Sequence, residues 1–184
     1  MTTPGAPDAS APFTPQARHL AVVSGGSGDP SQTRMLAERM AESASAALSE
    51  HGVVPQIHLI TLRELATDIA QALVTFAISP ALRAALDEVA QADAVIAVSP
   101  TYKASYSGLF KSFWDLAEPT SVVGVPVLLG ATGGTARAAV RLLNKAGAVV
   151  TQAQFLVDLP DLGGAEALRA DGIDATALID FPGH

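Results

Sequence analysis

Short apolar runs alternate with helical patterns along most of the chain. The runs are Leu20 to Ser24, Val53 to Leu59, Ala94 to Ser99, Pro126 to Ala131 and Ala148 to Val157. Three of them are apolar at both odd and even positions, as expected of strands covered by helices on both sides of a parallel sheet. Helical spacing fills the gaps. Leu36, Met40, Ala44, Ala47 and Leu48 recur every three or four residues, and Gly52 stops that helix. Ser79 is an N-cap followed by a first-turn proline, Pro80, and opens a helix over Ala81 to Ala90. Gly108 to Leu116 and Thr135 to Ala146 give two more helices. Strand–helix alternation repeated five times predicts an α/β doubly wound, five-stranded parallel sheet with helices on both faces. Ligands of such sheets bind beyond the carboxyl ends of the strands. The loops after the first, third and fourth strands are the places to look.

Composition narrows the chemistry. Of 184 residues, 49 % are hydrophobic and 16 % charged, which suits one buried core and excludes a mainly disordered chain. Eleven Lys and Arg face 18 Asp and Glu, a net charge of −7 with no basic run, so nucleic acid is not an expected partner. The chain has no cysteine, which removes disulfides, thiolate metal sites and cysteine nucleophiles. Redox work would have to be carried by a bound cofactor. The longest apolar stretch, Val122 to Ala131, is interrupted by Gly124 and Pro126 and reaches about half the ~20 residues of a membrane span. Residues 1–17, with four prolines and no positive charge, read as a disordered N-terminal tail and not as a secretory signal. Residues 158–184, with six acids and one arginine, read as a loosely held acidic tail carrying a short helix around Ala165 to Ala170. The domain proper is then 18–157, in a cytoplasmic protein.

The first of the three loops runs from Ser24 through Gly25, Gly26, Ser27, Gly28, Asp29 and Pro30 to Ser31, and leads into Gln32, Thr33 and Arg34. Main-chain N–H groups at a helix start, with serine and threonine hydroxyls beside them, form an anion site. No acid occupies the opening turn, where one would complement the helix dipole; the first is Glu38. A glycine-rich turn capped by Ser31 is the plain alternative. A dinucleotide fingerprint fails because Ser31 stands where its third glycine belongs, and the second strand ends in Leu59-Ile60-Thr61 without the ribose-binding acid. The Gly-Lys pair of a Walker loop is absent. The second loop, Pro100-Thr101-Tyr102-Lys103-Ala104-Ser105-Tyr106-Ser107-Gly108, holds both tyrosines of the chain and offers flat walls to an aromatic ligand, unless the rings only cap the core. The third, Ala131-Thr132-Gly133-Gly134-Thr135, lets a ligand approach backbone N–H and C=O groups closely. A phosphate pocket, an aromatic wall and a polar backbone edge along one rim are the parts that flavin mononucleotide requires.

These segments resemble the NADPH-dependent FMN reductase family, in particular the branch that feeds reduced FMN to alkanesulfonate-type monooxygenases. The likeness covers roughly 19 to 137, and its most specific part is Tyr102-Lys103-Ala104 with Tyr106-Ser107-Gly108. It implies a flavodoxin-like fold with FMN and NADPH or NADH as cofactors. Ser24, Ser31, Gln32 and Thr33 would then match the phosphate loop. Pro100, Thr101, Tyr102, Lys103, Ala104, Ser105 and Tyr106 would match the isoalloxazine loop, and Thr132, Gly133, Gly134 and Thr135 the pyrimidine edge. Lys103 would favour negative charge developing on the reduced ring. Relatives usually continue the Thr-Gly-Gly motif with a longer helix that often opens with His; here Ala138 takes that place and the helix is about two turns shorter.

The activity expected is hydride transfer from the nicotinamide to FMN, with no catalytic acid–base pair and a flavin-dependent monooxygenase as possible partner. A quinone or azo-dye reductase with tightly held FMN, and a flavodoxin-type electron carrier, are the competing readings. A G-x-S-x-G elbow is absent, and His19, His51, His58 and His184 show no metal-ligand spacing. His19 and His58 fall in strands as edge or strand-end residues. Phe110, Phe113 and Trp114 share one helix, as core or as the contact of a homo-oligomer, dimer or tetramer. Arg34 and Arg137 stand near the rim, facing solvent or meeting the 2′-phosphate of NADPH.

Overall fold

A computed structural model describes residues 16–102, 105–132, 136–158 and 164–180. The elements follow in the order β1 (Gln16–Ser24), α1 (Gln32–Glu50), β2 (Val53–Thr61), α2 (Ala66–Thr75), α3 (Pro80–Ala90), β3 (Ala94–Tyr102), β4 (Ser105–Tyr106) and α4 (Gly108–Leu116), then β5 (Pro126–Thr132), α5 (Ala136–Lys145), β6 (Val149–Asp158), α6 (Gly164–Ala170) and β7 (Asp174–Asp180). The strands line up as β2-β1-β3-β5-β6-β7, all parallel, while short β4 folds back antiparallel on β3. This is the flavodoxin-like order, whose switch point lies between β1 and β3.

Strand alternation divides the core in two. Leu20 and Val22 of β1, with Ile96 and Val98 of β3, pack beneath Leu36, Ala37, Met40 and Ala41 of α1. Ala21 and Val23 point the other way, with Val95 and Ala97, into a larger core. There they meet Ile69 of α2, Leu82 and Val89 of α3, Phe110 and Phe113 of α4, Leu143 of α5 and Leu168 of α6. Ile69 and Ala72 of α2 and Leu82, Ala85, Leu86 and Val89 of α3 serve this packing, while Leu73 and Val74 of α2 stay exposed. The two helices meet at 95°, and no single helix among the described residues is long and apolar enough to cross a membrane.

The sheet differs from the expected five strands by gaining a sixth parallel one, β7, from the segment read as an acidic tail. Charge misleads there because the described acids, Glu166, Asp171 and Asp174, are exposed. In β7, Ala175 is buried while Asp174 and Thr176 are exposed, and in α6, Ala165 and Leu168 are buried while Glu166 is exposed. A strand covered on one side only needs apolar residues at every second position. The helix expected around Ala165 to Ala170 is α6. A further helix, α2, was not expected. It starts at Leu65 without a side-chain cap and ends at Phe76 in the left-handed region (φ 59°), so it lacks the usual stop signal of glycine.

Candidate active site

The carboxyl ends of β1 and β3 carry the first two loops side by side. The Gly25 N–H donates to Val98 O at 2.8 Å, and the Leu62 N–H donates to Ser24 O at 3.0 Å, so the chain leaves β1 pinned to both neighbours. It then doubles back on the start of α1. A Cβ on Gly26 would lie 2.3 Å from Ser31 Oγ and 2.8 Å from Thr33 Cβ, so only glycine permits that approach. Ser31 caps α1 by accepting the Arg34 N–H at 3.2 Å. Thr33 is buried and Gln32 exposed. Their N–H groups belong to the opening turn, where a helix supplies no internal acceptor, and no acid sits in that turn. Ser24 is fully buried and its Oγ has no hydrogen-bond partner among the described residues. Hydroxyls, main-chain donors and an orphaned buried oxygen therefore converge on the loop, a chemistry that suits a phosphate.

The loop acid is neutralised locally. Asp29 pairs with Arg63 at 2.8 Å, and hydrogen bond and charge together hold its carboxyl below the usual range. Arg34 is engaged by Glu38 at 2.8 Å, which raises its pKa further, with Glu64 at 3.8 Å. Its guanidinium is thus occupied by carboxylates; the side chain of Arg137 lies outside the described residues.

In the second loop β3 runs on through Pro100, Thr101 and Tyr102, then returns as β4, with Tyr102 opposite Ser105 and Thr101 opposite Tyr106. Residues directly opposite share a side of the ribbon, so Tyr102 and Tyr106 lie on opposite faces. The two rings do not form one wall. Tyr102 stays on the rim, half exposed, and its hydroxyl pairs with Ser27 Oγ at 2.9 Å, joining the second loop to the first. Tyr106 turns inward against Phe110, centroids 6.4 Å apart, and lines a cavity of about 510 Å³ between α4 and α5 with Lys111, Trp114, Arg141 and Lys145. Lys103 and Ala104, at the tip, lie outside the described residues, as do Gly133, Gly134 and Thr135 of the third loop. The backbone of Thr132 pairs with Pro100, which sets the start of the third loop beside the second.

Two residues to which the sequence assigned no role of their own, Ser99 and Ser107, hold this arrangement together. The Ser99 hydroxyl accepts the Ser107 N–H at 3.1 Å and donates to Pro100 O at 3.0 Å. Ser107 Oγ donates to Gly25 O at 3.1 Å and accepts the Phe110 N–H at 3.1 Å, capping α4 while tying it to the first loop. The cap itself is legible in the sequence as a serine before a helical run; its bond to Gly25 is not. The aromatic helix is core. Phe110 and Phe113 are fully buried and Trp114 is 4 % exposed, so an oligomer contact built on these three rings is ruled out by their packing within one chain.

A flavodoxin-like sheet with a glycine-rich turn into an acid-free helix start at the switch point, and a half-exposed tyrosine beside it, defines the class of α/β flavodoxin-like folds. Within that class the chain belongs to the NADPH-dependent FMN reductase family, whose profile matches residues 19–163. An oxidoreductase of solved structure from Corynebacterium diphtheriae is 34 % identical, covering 74 % of this chain and 79 % of its own, with a TM-score of 0.71. An NADH:FMN oxidoreductase solved in its apo form is 26 % identical over 84 % of this chain and 83 % of its own, with a TM-score of 0.62. A shorter likeness runs in another direction. An adenine phosphoribosyltransferase of Novosphingobium aromaticivorans is 63 % identical over 54 residues, which is 29 % of this chain and 30 % of that protein. The chain spans about 30 % of the length of the curated relatives it matches.

Proposed function

We propose that this chain is an NAD(P)H-dependent FMN reductase. The observation that carries the reading is the opening of α1: a glycine held against Ser31 and Thr33, an acid-free first turn, and a buried, unpartnered Ser24 hydroxyl beside it. Ser24, Ser31, Gln32 and Thr33 would hold the FMN phosphate. Pro100 to Tyr106 would lie along the ring system, with Tyr102 as the rim-facing tyrosine, and Thr132 to Thr135 would meet the pyrimidine edge. When bound, the flavin supplies the redox chemistry by accepting a hydride from the nicotinamide. The residues of the chain bind and orient; none is assigned a proton to move. Family membership and the NADH:FMN oxidoreductase neighbour support this reading. The phosphoribosyltransferase likeness reaches less than a third of either chain and does not carry that activity over. Delivery of reduced flavin to a monooxygenase and assembly as a homo-oligomer belong to the same proposal. The oligomer would use a surface other than the ring cluster of α4.

The test is NADPH and NADH oxidation by the purified protein with free FMN in excess, alongside visible absorbance of the protein as isolated. Sustained turnover with added FMN is expected. Flavin that stays bound, with turnover on quinones or azo dyes alone, would favour the competing reductase. Bound flavin without nicotinamide oxidation would favour an electron carrier.

A further inference from the structure

Away from the rim, the fold assembles a second cluster from three separate elements. In β1, His19 stands opposite Gln56, and in β2, His58 stands opposite Ala21, so the two histidines are diagonal neighbours on one face of the sheet. Their rings stack at 5.5 Å with planes 7° apart. Helix α3 packs over that face through Leu82, Leu86 and Val89 and brings Glu88 to His58, Nδ1 to Oε2 2.9 Å. One ligand atom from each of the three residues falls within 4.8 Å of the others. All three residues are half-buried, so an ion can reach them from solvent.

We propose that His19, His58 and Glu88 form a binding site for a borderline divalent metal ion, with Zn2+ the best match. Two imidazoles and one carboxylate are the donor set such ions prefer, with water completing the shell. Tetrahedral Zn2+ holds its ligand atoms about 3.3 Å apart, within reach of small rotamer changes from the observed separation. The backbone of His19 is already fixed. Its N–H donates to Asp93 Oδ2 at 2.8 Å and its C=O accepts the Asp93 N–H at 2.9 Å. Asp93 also adds negative charge beside His19, and Arg18, at 2.7 Å from Asp93, partly offsets it. Binding exchanges the His58–Glu88 contact for two bonds to the ion. Any proton on an imidazole leaves to water, so affinity falls in acid. The site is independent of the flavin reading. His19 lies five residues before the rim residue Ser24, roughly 16 Å along an extended strand.

Zn2+ titration of the full chain by calorimetry, with Co2+ absorption as a report on coordination, tests the proposal. One equivalent should bind, Zn2+ should raise Tm, and His58→Gln or His19→Gln should weaken binding by about tenfold or more. His51→Gln, at the far end of α1, should leave binding unchanged. Circular dichroism of the variants separates lost ligands from lost fold. For folded variants, unchanged affinity in the double His19→Gln, His58→Gln chain would overturn the proposal, as would the absence of saturable binding to the wild-type chain.

Discussion

The two ends of β1 offer ligands through different parts of the chain. At Ser24 the groups on offer are main-chain N–H, hydroxyl and a glycine that admits close approach; at His19 they are imidazole and carboxylate side chains from three elements. A rim made of backbone is tolerant of single side-chain losses, because much of what it presents survives any one of them. It is intolerant of added bulk. A cluster made of side chains has the opposite profile, since each residue is a whole ligand. The same strand therefore carries one site governed by space and another governed by chemistry.

The strongest way to break that contrast is to add a methyl group at the rim. In Gly26→Ala the new Cβ would meet Ser31 Oγ at 2.3 Å and Thr33 Cβ at 2.8 Å, and neither the cap nor a buried helical residue can yield without moving the start of α1. Overpacking of this kind costs about 1–3 kcal/mol, so FMN affinity should fall roughly 5- to 150-fold if that cost falls on the binding-competent rim. Gly108→Ala is the matching control, because a Cβ there meets nothing within 4 Å. It should leave flavin binding alone and raise stability by up to about 1 kcal/mol. Equal flavin affinities in the two variants, read by fluorescence quenching, would refute the space-limited rim.

Removing hydroxyls probes the chemistry of the rim and leaves its space unchanged. Ser31→Ala with Thr33→Ala deletes two candidate phosphate donors but keeps the main-chain N–H groups of the opening turn. Hydrogen bonds to a charged group contribute about 1.5–3 kcal/mol each, so the double variant should lose at least about tenfold in FMN affinity. Riboflavin, without the phosphate, should bind less well than FMN and be indifferent to the change. Equal affinity for the two flavins would remove the phosphate from this loop.

Much of the rim could be read along the chain because each of its loops is one contiguous stretch. Ser24 to Thr33 announces a glycine turn and an acid-free helix start without any knowledge of the fold, and Ser79-Pro80 marks α3 in the same way. What escaped depends on register or on one-sided burial. Tyr102 and Tyr106 look equivalent in sequence, yet the β3–β4 pairing turns them to opposite faces. Strand β7 begins and ends in an aspartate within a stretch whose net charge is acidic, which hides its apolar residues, and α2 has neither side-chain cap nor glycine stop. His19, His58 and Glu88 have no spacing in common. The β1–β2 register and the packing of α3 bring them together.

The least disruptive probe lies beside the side-chain cluster, at Asp93. Its carboxyl is held below its ordinary value of 3.8, first by the His19 N–H and then by Arg18. A carboxylate whose pKa is lower folded than unfolded contributes stability above the unfolded value and loses that contribution as pH falls through the folded one. Asp93→Asn keeps a neutral acceptor for His19 and removes the charge. The variant should therefore be slightly less stable than wild type at neutral pH, and the gap should close as pH falls below the ordinary carboxyl value of 3.8 and on through the lower folded one. The effect is small because the Arg18 and Asp93 side chains are 45 % and 36 % exposed, where solvent screens the pair. Urea titrations across pH measure it. A gap that stays constant from neutral to acid would mean that Asp93 acts by shape alone, and the charge-governed end of β1 would lose its distinction from the rim.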